Sequence, residues 1–147
     1  MKAARCLFLV SKAVAKSKQS IDTVIKGSDY MKVTSYNESQ KIEGSFEARS
    51  KKGCRIRFLL YNDKKDELIE YIRKRKFLQN KGAIEIRSVT KPLDAAFAII
   101  DRKDVFFYTK PLLSDWWWST YLRSKNACLV GTIQSFFDGL WSSAELI

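Results

Sequence analysis

The sequence contains no histidine among its 147 residues. Histidine is the side chain that most often transfers protons in catalysis near neutral pH, and it is also the commonest metal ligand. A chain without histidine cannot use an imidazole group for either purpose. The composition therefore favours binding over catalysis, and nothing in it indicates a cofactor or a metal site.

Cysteine is scarce, and long apolar runs are absent. Cys6, Cys54 and Cys128 are odd in number, widely spaced and form no C-x-x-C pair. This pattern argues against a disulfide framework or a zinc site and predicts reduced thiols in an intracellular protein. The longest apolar run, Ala95–Ile100, is far too short to span a bilayer. The stretch Cys6–Val10 is too brief for a signal peptide, so we expect a cytoplasmic protein with no membrane partner.

Basic residues outnumber acidic ones by 27 to 16, which gives a formal net charge of +11 and a pI near 9.7. Such an excess favours polyanionic partners such as nucleic acid or phosphorylated ligands. The basic residues are spread along the chain, however, so a generally solvated lysine-rich surface explains the charge about equally well. Two dense groups are candidates for contact with phosphates. One is the run Arg73, Lys74, Arg75 and Lys76 with Lys81, and the other comprises Arg49, Lys51, Lys52, Arg55 and Arg57.

The order of periodic segments predicts one α/β or α+β domain over residues 1–147, without internal repeats. The cleanest helical period lies at the end of the chain, where we expect one apolar face to enter the core. That face comprises Leu129, Ile133, Phe136, Phe137, Leu140, Trp141 and Ala144. Upstream, the pattern predicts a helix over Leu7–Ser20, strands at Ile21–Ile25, Cys54–Tyr61 and Ala83–Val89, a helix that ends at Gly53 and another near Asp66.

Residues Asp94–Thr109 carry two apolar runs on either side of a charged turn, Asp101–Asp104. This arrangement predicts a β-hairpin. On the first strand of such a hairpin, positions 94, 96 and 98 face the same side of the sheet.

These segments together resemble one half of the phospholipase D-like fold. The helix Ser11–Ser20 that leads into Ile21–Ile25 is similar to the opening unit of that fold, and Lys51–Leu60 is similar to its next helix-to-strand step. The segment Asp94–Asp101 lies where the family has the motif H-x-K-x-x-x-x-D. The resemblance implies a mixed β-sheet flanked by helices, with a C-terminal helix.

The same resemblance shows that the catalytic residues are missing. The family's nucleophilic histidine falls on Asp94, its phosphate-binding lysine on Ala96 and its aspartate on Asp101, so only the last one matches. Its small polar residue after the hairpin falls on Thr109. The family's mechanism needs one histidine as nucleophile and a second to protonate the leaving group, so we expect no phosphodiesterase activity.

A second resemblance concerns the end of the chain. Trp116–Thr120 and Phe136–Ala144 are similar to the ending of degenerate phospholipase D-like domains in regulators of the TrmB type. In those regulators the domain follows a winged helix-turn-helix and acts in effector sensing or dimerisation. No segment long enough for a helix-turn-helix precedes Leu7, which is consistent with a stand-alone sensor or with the C-terminal part of a longer regulator.

Each candidate site has two interpretations. The positions Asp94, Ala96, Ala98, Asp101 and Thr109 form either a vacated pocket that admits an effector or a place where small residues allow close packing. Trp116, Trp117 and Trp118 cannot all enter one core, so we expect at least one ring to be exposed or at an interface. Packing in a homodimer is the preferred explanation, and stacking on a sugar or base is the alternative.

We therefore expect a catalytically silent, homodimeric, effector-sensing or dimerisation module of a transcriptional regulator. The alternative is a protein that binds nucleic acid directly through the basic helix near Arg73–Lys76. An enzyme that holds a metal with Asp94 and Asp101 is a third class, which two carboxylates without further ligands support only thinly.

Overall fold

The structure is a computed structural model that describes residues 12–26, 39–61, 65–74, 84–90, 93, 96–109 and 120–146. Its helices are α1 (residues 12–16), α2 (Ser39–Lys51), α3 (Lys65–Arg73) and α4 (Ala127–Ser143). Its strands are β1 (Ser20–Lys26), β2 (Arg55–Tyr61), β3 (Ile84–Val89), β4 (Ala96–Ile100), β5 (Asp104–Thr109), β6 (Thr120–Ser124) and β7 (Glu145–Leu146).

The seven strands form one mixed sheet in the order β6-β5-β4-β1-β2-β3-β7. The strands β1, β2 and β3 are parallel, whereas β4 is antiparallel to β1 and forms a hairpin with β5. The predicted mixed sheet, the predicted hairpin and the predicted C-terminal helix are thus confirmed.

Each face of the sheet carries its own apolar core, because successive side chains along a strand point to opposite faces. One core joins Ile21, Ile56 and Phe58 to residues of α1, α2 and α3, with Phe46 of α2 edge-on to Phe58 at 5.2 Å between ring centroids. The other core packs α4 against the opposite face. Its buried members are Val24, Leu59, Tyr61, Phe97, Ile99, Val105, Val130, Phe137 and Trp141. The central strands β1, β2 and β4 are buried on both faces, which explains the apolar run Phe58–Tyr61 of β2 and the wholly apolar β4.

The predicted end of α2 at Gly53 is confirmed. Gly53 has φ of 85°, a left-handed conformation that glycine adopts without a steric penalty. Its N–H donates to the carbonyl of Ser50, and the N–H of Cys54 donates to the carbonyl of Arg49. These two bonds are the Schellman pattern that satisfies the last carbonyls of a helix.

The predicted core face of α4 is wrong in part. The buried residues of this helix are Val130, Gln134, Phe137 and Trp141. Leu129 and Phe136, which we expected in the core, are 40% and 46% exposed. The physical reason is that α4 has two adjacent apolar stripes, and only one of them contacts the sheet. Ala144 lies just after the helix as its C-cap, and Asn126 caps the start by accepting a hydrogen bond from the Leu129 N–H at 3.1 Å.

Two strands were not predicted. β6 begins two residues after the aromatic run Trp116–Trp118, and β7 has only two residues. Both strands form at the edges of the sheet by pairing with β5 and β3. Within the described segments, no helix combines the length and apolar character needed to cross a membrane.

The two cysteines in the described part of the chain have free thiols that differ in accessibility. Cys54 is buried, 3.8 Å from the Ser17 hydroxyl, and its burial raises the pKa of the thiol despite the contact with Ser17. Cys128 is exposed. In a Cys6→Ser variant, we expect a thiol reagent at neutral pH to label Cys128 at once. We expect Cys54 to react slower by about two orders of magnitude or more, because labelling needs opening of the fold. Equal labelling rates, measured by mass spectrometry, would contradict the burial.

Candidate functional site

The two alanines of the predicted pocket lie in the middle of the sheet. Ala96 and Ala98 are buried on β4, where they pair with Tyr108 and Phe106 of the neighbouring strand β5. A methyl group opposite a large ring fills the space between the strands without overlap. This geometry supports the close-packing interpretation for these two positions. Asp94 lies outside the described residues, so the effector pocket as a whole stays a prediction.

The predicted pocket residues separate into two groups along the hairpin. Thr109 is adjacent to Tyr108 and thus lies at the same end of the hairpin as Ala96. Asp101 lies in the turn at the opposite end, about 17 Å from Ala96 at 3.4 Å per residue. The structure therefore places Ala96 and Thr109 at one end of the hairpin and Asp101 at the other.

Asp101 acts as a clamp on the segment that leads into β1. Its carboxylate accepts hydrogen bonds from the backbone N–H groups of Lys18 at 3.0 Å, Gln19 at 2.7 Å and Ser20 at 3.1 Å. Its own N–H donates to the Ser20 carbonyl at 2.8 Å. Asp101 and Arg102 both have left-handed backbone conformations, with φ of 55° and 57°. Aspartate tolerates this conformation better than most residues, so the residue type fits both the turn and the clamp.

Replacing Asp101 with alanine should lower the free energy of unfolding by about 2–3 kcal/mol, since three charge-assisted hydrogen bonds are lost and alanine is strained in the left-handed region. Asp101→Asn keeps one acceptor oxygen and should cost about 1 kcal/mol. Urea denaturation measures both values. An Asp101→Ala variant with the same free energy of unfolding as the wild type would show that these hydrogen bonds do not stabilise the fold.

A buried network of charged and polar groups lies between the sheet and α4. Arg57 of β2 donates twice to Asp22 of β1, from Nε to Oδ1 at 2.7 Å and from Nη2 to Oδ2 at 2.9 Å. Nη2 also donates to Asp138 Oδ1 at 2.9 Å. Gln134 Nε2 donates to Asp22 Oδ2 at 2.9 Å. Burial alone would lower the pKa of Arg57, but its bonds to the two carboxylates outweigh burial and raise it.

Aromatic rings complete the surroundings of this network. Phe137 and Trp141 stack with their centroids 5.7 Å apart, and Arg57 Cζ lies 4.8 Å from the centroid of Phe137. Arg87 of β3 lies 4.6 Å above the Trp141 ring and donates to the Trp141 carbonyl at 2.9 Å. Cations over aromatic faces are attracted to them, more strongly when desolvated. The network therefore joins β1, β2 and β3 to one face of α4.

This network was not predicted, although the strand sequences contain a signal for it. Asp22 interrupts the apolar strand Ile21–Ile25, and Arg57 does the same in β2. Two opposite charges at core-facing positions of neighbouring strands indicate a buried pair. Among the described residues, no group of three or more cysteine, aspartate or glutamate side chains is arranged to hold a metal.

The predicted phosphate-binding residues lie at the ends of two helices. Lys51 pairs with Glu47 at 3.1 Å, and Lys74 pairs with Glu70 at 3.0 Å, as the spacing of four residues predicts. Lys52 is exposed, and Arg73 is the last residue of α3. The other candidate residues, Arg75, Lys76, Lys81 and Trp116–Trp118, lie outside the described residues. Arg57, a member of the second basic group, is buried and bonded to Asp22 and Asp138, so it is not available to an external phosphate.

Comparison with known proteins gives structural matches only. No protein-family model and no curated protein matches the sequence. The archaeal chromatin protein TrmBL2, whose structure shows a novel mode of DNA binding, superposes with a TM-score of 0.75 at 17% identity. The match covers 99% of this chain and 51% of that chain, so this chain spans about half the length of TrmBL2.

Two further structures match over nearly their whole length. NucT from Helicobacter pylori has a TM-score of 0.69 at 12% identity, covering 99% of this chain and 93% of that one. Nuc from Salmonella typhimurium, a phospholipase D family member, has a TM-score of 0.66 at 14% identity, covering 95% and 89%. At such identities the matches establish the fold. The chain has a phospholipase D-like fold, as its resemblance implied.

Proposed function

We propose that this chain is a non-catalytic phospholipase D-like domain that serves as an effector-sensing or dimerisation module of a DNA-associated transcriptional regulator. The observation that carries the proposal is a phospholipase D-like fold in a sequence that has no histidine. A phospholipase D-like fold that lacks the nucleophile can still bind other molecules, because function depends on the sites that a fold carries.

The proposed loss of catalysis follows from the chemistry of phosphodiester cleavage. Attack on phosphorus requires a nucleophile, and release of the alcohol requires a proton donor. The resemblance assigns both tasks to histidine, and the position it assigns to the phosphate-binding lysine is the buried Ala96. We expect the purified chain to hydrolyse bis(4-nitrophenyl) phosphate no faster than buffer. Hydrolysis that follows the protein peak through gel filtration would overturn the proposal.

The DNA-associated setting is supported by the similarity to TrmBL2, which spans 99% of this chain. TrmBL2 is an archaeal chromatin protein whose structure shows DNA binding. Because this chain corresponds to about half of TrmBL2, the proposal concerns a module, and it leaves the partner that contacts DNA open.

Dimerisation is supported by an apolar surface strip on the α4 face of the sheet. The strip consists of the second stripe of α4 and two neighbouring strand residues, and it includes Leu122, which is 64% exposed. Phe97 links it to the core through contacts with Phe107 and Phe136. The segment containing Trp116–Trp118 connects β5 to β6, the strands that carry Phe107 and Leu122. We propose that a second copy of this chain covers the strip, whose members are Phe107, Leu122, Leu129, Ile133, Phe136 and Leu140.

Light scattering after gel filtration tests the dimer. We expect a mass of about twice 17.0 kDa for the wild type and a monomer for Leu122→Asp combined with Phe136→Asp, since charges in an apolar interface are costly. The matched control is Leu146→Asp, because Leu146 is 71% exposed at the other edge of the sheet. A monomeric wild type would contradict the proposed interface, and so would dissociation of the control.

Effector sensing is tested separately. A thermal-shift screen of sugars, nucleotides and phosphorylated metabolites should give at least one ligand that raises the melting temperature, because a ligand that binds only the folded state stabilises it. Substitution of Asp94 or Thr109 should then reduce the shift. A screen without any shift would weigh against the predicted pocket.

A further inference from the structure

Four connecting segments of the chain lie together at one end of the strands, the end at which β1 and β2 begin. Residues 16–19 precede β1, residues 52–54 precede β2, residues 101–103 join β4 to β5, and residues 125–126 follow β6. The register aligns Ser20 with Arg55 and Ile100 with both Ile21 and Asp104. It also aligns Val105 with Ser124, which brings the fourth segment to the same end of the strands.

Every one of these segments, or the residue directly after it, carries exposed basic side chains. We call this surface the basic edge. It consists of Lys16, Lys18, Lys52, Arg55, Arg102, Lys103 and Lys125, all of which are exposed. The residues come from distant parts of the sequence, which is why they appear scattered along the chain.

Acidic groups near the basic edge are already engaged. The Asp101 carboxylate accepts three backbone N–H groups, and Asp104 forms a two-pronged pair with Arg123 at 2.6–3.2 Å. Asp138 pairs with Arg57 at 2.9 Å and with Arg102 at 3.6 Å. Within the described segments, no ion pair to a carboxylate engages the other six members of the basic edge. The surface therefore carries an uncompensated positive charge.

Hydrogen bonds hold the backbones of three of these segments, residues 16–19, 52–54 and 101–103, in place relative to one another. Asp101 binds residues 18–20, and the Arg55 N–H donates to the Gln19 carbonyl at 3.0 Å. Arg49 Nη1 donates to the Ser17 carbonyl at 3.2 Å, which joins the end of α2 to the same segment. A charged surface whose backbone is already ordered loses less entropy on binding a partner. The basic edge thus differs from a generally solvated lysine-rich surface.

The dimensions of the basic edge match a polymer better than a small ligand. It runs across β6, β5, β4, β1 and β2, a span of about 19 Å at 4.8 Å per strand. Duplex DNA presents one charge per about 1.7 Å of helix axis, so a stretch of this length offers several phosphates to one face. The exposed large apolar side chains of the described residues are Leu122, Leu129, Phe136 and Leu146. None of them belongs to the basic edge. Binding of single strands or membranes relies on such rings or apolar groups.

We infer that the basic edge binds the phosphate backbone of duplex DNA without sequence preference. This inference goes beyond the proposed function, because it gives the module a DNA contact of its own. It does not use the basic helix near Arg73, and of the predicted pocket residues it uses only Asp101, through the hydrogen bonds to residues 18–20. A failed test of dimerisation or effector binding leaves it unaffected.

Fluorescence anisotropy with a random 20-base-pair duplex and the full chain tests the inference across a salt series. The edge variant is Lys18→Gln, Lys52→Gln and Lys103→Gln, which removes three charges whose side chains make no described contact. We expect the slope of log affinity against log salt to fall by about 2.7 and the affinity at 0.1 M salt to fall about 500-fold, since each phosphate contact contributes about 0.9 to the slope.

The matched control is Lys26→Glu with Thr90→Glu, which lowers the net charge by the same three units. Lys26 is the last residue of β1, and the exposed Thr90 follows the last residue of β3, so both lie at the end of the parallel strands opposite the basic edge. We expect this control to lose less than about tenfold in affinity, through the general field of the protein alone. An equal loss in control and edge variant would overturn the inference, and so would the absence of wild-type binding at 50 mM salt. Tighter binding to the single strand, to duplex RNA or to phosphatidylserine vesicles than to duplex DNA would overturn it as well.

Discussion

Replacing Arg57 with methionine is expected to lower the free energy of unfolding by about 3–5 kcal/mol, as is usual when one partner of a buried ion pair is removed. Asp22 is fully buried, and Arg57 supplies two of the hydrogen bonds to its carboxylate. In the variant, only Gln134 of the described network still donates to Asp22. The charge would then be buried without a countercharge. Urea denaturation monitored by tryptophan fluorescence measures the loss.

The double variant Asp22→Asn with Arg57→Met is the control for this prediction. It removes both charges, and the asparagine oxygen still accepts from Gln134. Because buried ion pairs are often replaceable by uncharged groups at little cost, we expect the double variant to recover at least half of the stability lost in Arg57→Met. A double variant as unstable as the sum of the two single variants would show that the pair is not energetically coupled.

Replacing Phe137 with alanine is expected to cost about 3–5 kcal/mol, the usual range for a large aromatic side chain in a core. Phe137 is fully buried, stacks on Trp141 and lies beneath Arg57. Its removal would create a cavity between α4 and the sheet and would weaken the cation–aromatic contact. Equilibrium denaturation at a fixed, submicromolar protein concentration measures the effect without a contribution from association.

The neighbouring Phe136 is the matched control for Phe137. It has the same side chain on the same helix but is 46% exposed. We expect Phe136→Ala to cost less than about 1.5 kcal/mol, because much of its ring already contacts solvent. Equal losses at the two positions would mean that α4 presents a different stripe to the sheet from the one described above.

Much of the fold follows from local sequence patterns. Apolar runs correctly predicted β2 and the β4–β5 hairpin, because strands buried on both faces are rich in apolar side chains. The alternation of Ile21, Thr23 and Ile25 with Asp22 and Val24 correctly predicted β1. Gly53 correctly predicted the end of α2. The orientation of α4 was not predictable in this way, since two adjacent apolar stripes have the same period and only tertiary packing selects one of them.

The candidate site was less accessible to prediction than the fold. The resemblance identified Asp101 as the one matching motif residue, but the partners of its carboxylate are backbone groups more than 80 positions earlier in the chain. Backbone donors carry no signature in a sequence. The basic edge was hidden for a related reason, because strand order decides which lysines become neighbours, and strand order is a non-local property.

The central position of β1 has a consequence for synthesis of the protein on the ribosome. β1 is the first strand of the sheet to be translated, yet Ile21 pairs with Ile100, 79 positions later. Until the hairpin has left the exit tunnel, the nascent chain exposes an apolar strand with one open edge, a state prone to intermolecular pairing. We expect folding to complete only after the hairpin emerges, so ribosome-stalled chains that end before residue 100 should remain sensitive to protease and bind chaperones.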